Sequence, residues 1–168
     1  MKQPAWPRSL PTRAVVILAT LGPIGRKLPA PGTWGSAAGL LYFTVFFERL
    51  NFAENLVASA AAAYLAVAFC GEAEVRLRKK DPGEVILDEF VAMPLCFLGW
   101  RSLTFSWPVW GVLLGGFLLF RFFDILKPLG IKNLQRYPGG WGVVIDDLAA
   151  ALAACATLHV IVWLSSRF

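Results

Sequence analysis

Long apolar runs separated by short charged stretches organise this chain. Residues from Ser36 to about Leu50, Phe52 to Phe69, Phe90 to about Trp100, Trp107 to about Phe123 and Leu148 to Leu164 are apolar and almost free of charge. Each predicts a helix, and a shorter run from Ala14 to Leu21 predicts an interfacial or buried one. A helix crossing a bilayer needs about 20 residues at a rise of about 1.5 Å each. The first and third segments are short for that task, and are expected to tilt, to thin the bilayer or to be partly re-entrant. The expected fold class is all-α: an integral membrane helical bundle of about four to six helices in one domain over 1–168. Residues 1–23 are its N-terminal cytoplasmic or interfacial segment.

Composition points the same way. The chain is 57% hydrophobic and only 16% charged, whereas about a quarter of an ordinary soluble domain is charged. The N-terminus lacks the compact apolar segment and small-residue cleavage site of a secretory signal, so internal helices are expected to hold the protein in the membrane. A net charge of +5 comes without the basic, aromatic-interleaved stripe of a nucleic-acid binder; anionic lipid headgroups are the expected counterpart. Lys2, Arg8, Arg13, Arg26 and Lys27 precede the first span, and Arg76, Arg78, Lys79 and Lys80 precede Asp88. Arg121, Lys127, Lys132 and Arg136 precede Asp146, leaving Arg49, Arg101 and Arg167 for the other side. Positive charge favours the cytoplasmic face, so the N-terminus is expected inside and the C-terminus outside. Cys70, Cys96 and Cys155 lie in apolar segments without CxxC spacing and read as small buried hydrophobes.

The candidate chemistry sits where acids meet these runs. Asp88-Glu89 and Asp146-Asp147 read as helix openings, where one acid could serve as a cap. A second adjacent acid repels the first, and a divalent cation would remove that conflict. Oxygen ligands without His or Cys suit Mg²⁺. Arg121, Asp124 and Lys127 recur every third residue, which puts them on one broad helix face. Arg and Lys there suit a phosphate, or else snorkel at the helix end; Asp124 would bond metal or water. Gly32, Thr33, Gly35 and Ser36 enter the first span, with Thr33 or Ser36 as a cap or an anion contact. Pro138-Gly-Gly-Trp-Gly142 reads as a turn delivering Asp146 and Asp147. Cys70 and Arg76 match the C-x₅-R spacing of cysteine phosphatases, but Glu72 and Glu74 between them would repel phosphate. His159, the sole His, lies far along the last helix.

Four stretches together resemble a known family: Lys27-Leu-Pro-Ala-Pro-Gly-Thr-Trp-Gly-Ser36, Val85-Ile-Leu-Asp-Glu-Phe-Val91, Phe120-Arg-Phe-Phe-Asp-Ile-Leu-Lys-Pro128 and Gly139-Gly-Trp-Gly-Val-Val-Ile-Asp-Asp147. They are similar to the blocks of phosphatidylglycerophosphatase A, in family order, across a motif-bearing core of about 24–154. The resemblance implies an Mg²⁺-dependent phosphatase of the bacterial inner membrane, multi-pass, with its active site facing the cytoplasm. It would convert phosphatidylglycerophosphate to phosphatidylglycerol. The family's acidic positions fall on Asp88, Glu89, Asp124, Asp146 and Asp147, the expected catalytic set, of which Asp88, Glu89, Asp124 and Asp147 are the expected metal ligands. Its basic positions fall on Arg121 and Lys127, expected with Thr33 and Ser36 to meet the substrate phosphate. The chain departs from the family pattern at Ala92 and Ala151, where Gly is usual, and at Gly130, often Pro. The alternative reading is a transporter or channel with an intramembrane cation site, which predicts acids near mid-span and broken helices. A phospholipid-forming transferase would carry a spaced DG…AR…G…D…D run that this chain lacks.

Overall fold

Breaks at proline and glycine divide the apolar runs more finely than their lengths suggest. The structure, a computed structural model, describes residues 3–167; Met1, Phe168 and Lys2 (one of the N-terminal cations counted above) lie outside them. Among the described residues there are eight α-helices, three short 3₁₀ helices and no strand. The helices are α1 (Thr12–Ala19), α2 (Pro23–Lys27), α3 (Pro31–Phe46), α4 (Phe52–Leu77), α5 (Leu87–Ala92), α6 (Trp100–Ser106), α7 (Val109–Leu126) and α8 (Gly140–Ser165). The expected four to six helices become eight because Pro11, Pro23 and Pro31 start separate elements, while Pro94 and Gly99 split the third apolar run. Three helices, α4, α7 and α8, are long and apolar enough to cross a membrane.

Local chemistry sets the ends of these helices. Asn51 caps α4 by accepting from the Glu54 N–H at 3.0 Å, and Glu54 returns a bond to the Asn51 N–H at 2.8 Å. This reciprocal pair satisfies two donors that a helix start leaves free. At its other end α4 outruns the apolar segment by two turns, to Leu77. The reason is an i, i+4 pair: Arg76 Nε donates to the buried Glu72 at 2.8 Å. Arg76 also donates to the carbonyls of Leu10 at 2.7 Å and of Pro7 and Arg8 at 3.2 Å each. Its guanidinium fastens the N-terminal segment to α4, so the C-x₅-R spacing is structural.

The third apolar run is the central element. Residues Met93–Phe97 continue α5 as a 3₁₀ helix, whose rise of about 2.0 Å per residue stretches the segment. Val91 through Leu98 are all buried, enclosed by α3, α4, α7 and α8. Its far end is pinned to α8: the Leu98 carbonyl accepts from His159 Nε2 at 2.7 Å and from Cys155 Sγ at 3.7 Å. The short segment thus lies inside the bundle and meets no lipid. The lipid-facing character falls instead on the outer surfaces, where Leu41, Val57, Trp110, Leu118 and Trp163 are exposed. Apolar exposure of that extent marks a bilayer-facing surface.

Candidate active site

Segments of three helices bring the acids together. The Ile86 N–H donates to the Ala19 carbonyl at 3.0 Å, which sets the start of α5, and Asp88 and Glu89 occupy its first turn. Arg121 and Asp124 lie on the last two turns of α7, and Lys127 caps it in a left-handed conformation with φ of 44°. Asp146 and Asp147 lie on α8, but not at its opening. That helix begins at Gly140, so Gly139 to Gly142 form its approach and first turn rather than a free-standing loop. Glycine is needed there: a Cβ on Gly140 would strike the Val67 carbonyl of α4, and one on Gly142 the Tyr137 carbonyl. The capping explanation for Asp146 and Asp147 therefore falls away.

Asp88, Glu89, Asp124, Lys127, Asp146 and Asp147 line one cavity of about 190 Å³ with Asp81, Gly83, Val85 and Val143. Within it the acids form two groups. Asp88, Glu89 and Asp147 each offer an oxygen within 4.8 Å of the others. The second group surrounds cations: Lys127 Nζ contacts Asp146 Oδ2, and lies 3.5 Å from Asp124 Oδ1 and 3.7 Å from Asp147 Oδ1. Arg121 Nη1 donates to Asp124 Oδ2 at 2.6 Å and to Ser36 Oγ at 3.2 Å, and lies 4.0 Å from Glu89. Asp124 falls outside the three-carboxylate group because both its oxygens face a cation. Gly32 opens the approach of α3, since a Cβ there would strike Glu89 Oε1.

Asp88 Oδ1, Glu89 Oε2, Asp146 Oδ1 and Arg121 Nε are buried without a hydrogen-bond partner. Buried polar atoms are seldom left so, and three of these four are carboxylate oxygens. Burial pushes the Asp88 carboxyl well above its usual range, and the Glu89 and Asp147 carboxylates push it further. Burial also raises Glu89. Burial alone would lower the Lys127 ammonium, but Asp147, Asp146 and Asp124 outweigh it and hold the amine above the usual lysine range. The two raised acids have a consequence for stability. Above about pH 4 the unfolded chain has released protons that the fold retains, so stability falls as pH rises through the raised folded values. In EDTA the melting temperature is expected to fall as pH rises above about 4, the unfolded carboxyl range. Scanning fluorimetry in detergent checks this, with added divalent cation expected to flatten the slope.

The sequence profile of the phosphatidylglycerophosphatase A family matches residues 17–162. The chain belongs to that family. A Haemophilus influenzae phosphatidylglycerophosphatase A is 34% identical over 134 residues, covering 79% of each chain. A Bacteroides thetaiotaomicron protein provisionally named phosphatidylinositol-3-phosphatase is 33% identical over 138 residues, 80% of this chain and 84% of that one. The Escherichia coli phosphatidylglycerophosphatase A is 26% identical over 132 residues, 78% and 73% of the two chains. No solved structure matches. As a phosphatidylglycerophosphatase A relative, the chain is a phosphatase enzyme, which selects that reading over the transporter.

In this family member, six of the predicted site residues share the cavity; Arg121 adjoins it through Asp124, and Ser36 through Arg121. Ser36 is buried within α3, donating to the Gly32 carbonyl at 2.8 Å. It caps no helix, because α3 starts five residues earlier, behind Ala30. Thr33 stays exposed and lies outside the cavity lining. Asp81 is the residue that sequence reasoning missed. Its N–H donates to Glu74 Oε1 at 2.7 Å, which steadies a left-handed φ of 46° and brings the residue to the cavity wall. Ala92 and Ala151, where the family usually has Gly, are both fully buried in one apolar cluster. Their methyl groups are spent in packing behind the site.

Proposed function

We propose that the chain removes the terminal phosphate of phosphatidylglycerophosphate, giving phosphatidylglycerol, with Mg²⁺ held by Asp88, Glu89 and Asp147. The observation that carries this reading is the trio of carboxylates within 4.8 Å, with Asp88 Oδ1 and Glu89 Oε2 buried and unpartnered. Three hard oxygen donors without His or Cys fit Mg²⁺, which keeps open positions for water and phosphate oxygens. When bound, the cation supplies Lewis-acid polarisation of a phosphoryl oxygen.

The chain's own groups do the rest. Asp124, oriented by Arg121, positions the attacking water opposite the leaving glycerol oxygen. Lys127 offsets the charge of Asp146 and Asp147, so a phosphate dianion can approach a cavity lined by six acids and one lysine. Arg121 Nε, buried without a partner, is available to a phosphoryl oxygen. Arg78, Lys79, Lys80, Lys132 and Arg136 lie in the loops at this end of the bundle, whereas Arg49 and Arg101 lie at the other. That asymmetry supports a cytoplasmic site in the inner membrane. The test is phosphate release by detergent-purified protein from phosphatidylglycerophosphate, phosphatidic acid and phosphatidylinositol 3-phosphate. Release from the first, lost in EDTA and restored by Mg²⁺, is expected. Undiminished release in EDTA overturns the metal assignment, and preference for another lipid overturns the substrate.

A further inference from the structure

A second, larger cavity opens beside the carboxylate one. It measures about 320 Å³ and is lined by Glu74, Lys80, Asp81, Gln135, Tyr137, Gly139, Gly142 and Val143. Asp81 and Val143 belong to both walls. The inner cavity measures about 190 Å³, and the shared Asp81 and Val143 wall gives a group esterified to a phosphate held there a neighbouring space to extend into.

We propose that this outer cavity is a polyol subsite, which takes the hydroxylated linker between the scissile phosphate and the inner phosphodiester of the lipid. The proposal rests on the hydrolase reading above. The lining suits hydroxyl groups: Asp81 and Gln135 can accept from them, and Tyr137 can both donate and accept. Glu74 is partly committed, since it accepts from the Asp81 N–H at 2.7 Å. Lys80 is the cation on this wall and would face the phosphodiester charge. A phosphate without a polyol would leave these groups facing only water. Discrimination then comes from the net gain of the hydrogen bonds that a linker hydroxyl makes with these groups in place of water.

The test compares phosphatidylglycerophosphate with its analogue lacking the linker hydroxyl, in mixed micelles with Mg²⁺. The wild type is expected to favour the natural lipid by about 10-fold in kcat/KM. Tyr137→Phe should reduce that preference to about threefold or less, and Lys80→Met should raise KM for both lipids while leaving kcat unchanged. A wild type indifferent to the hydroxyl, or a Tyr137→Phe variant that loses activity on both lipids with its preference intact, overturns the subsite. Absence of phosphate release from either lipid by the wild type refutes the hydrolase reading itself, and the subsite with it.

Discussion

Asp147→Asn is expected to lower phosphate release by about 10³-fold, a loss of about 4 kcal/mol of transition-state stabilisation. Asp147 joins the two groups in the cavity through Lys127. It shares the three-carboxylate cluster with Asp88 and Glu89, and it lies 3.7 Å from Lys127. Asparagine keeps the shape and one carbonyl oxygen but removes the charge on which hard-cation binding depends. The same change relieves repulsion among buried acids. In EDTA the variant should therefore melt above the wild type, while the rise in melting temperature on adding Mg²⁺ or Mn²⁺ disappears. Lower stability combined with retained divalent response would show that Asp147 supports the helix rather than the ion. Function and stability are thus expected to move in opposite directions at this position.

Lys127→Met should shift stability the other way. The ammonium contacts Asp146 and faces Asp124 and Asp147 within 4 Å, with its side chain 20% exposed. Removing one partner of a buried ionic group costs about 3–5 kcal/mol, because the remaining charges lose their compensation. The melting temperature is expected to fall by roughly 10 °C for a protein of this size, with activity lost. Lys127→Arg should not rescue it. A guanidinium is a planar fork made for paired oxygens, whereas this site closes three carboxylates around a compact point charge. Thermal melts of the two variants beside the wild type decide the matter; near-native stability in Lys127→Met would show that the acids are not held apart by this amine.

Much of the site was legible because charge beside a long apolar run is costly and therefore conspicuous. Asp88, Glu89, Asp124, Asp146, Asp147 and Lys127 announced themselves in that way, and the structure gathers them at one end of the bundle. Asp81 did not, because an acid directly after Lys79 and Lys80 reads as part of a solvated loop. Its backbone bond to Glu74, seven residues back, places this exposed residue at the rim of the cavity. Gly139 to Gly142 resemble a turn in composition, yet α8 begins at Gly140, where the Val67 carbonyl of α4 approaches too closely for a Cβ. The continuation of α4 to Leu77 was hidden by its charged end, where Glu72 and Arg76 support one another. The central segment was recognised as too short for a span. Its 3₁₀ continuation and its position inside the bundle depend on neighbours that periodicity does not describe.

The enclosure of residues 91–98 by four other helices bears on how the enzyme is made. A hydrophobic stretch of about 20 residues can partition into the bilayer by itself, and α4, α7 and α8 meet that requirement. The central segment is too brief to do so, and two of its walls, α7 and α8, are synthesised after it. It must wait near the interface until those helices have been inserted, and dock as they close around it. Asp88 and Glu89 travel with it, so their grouping with Asp147 forms only once α8 is in place.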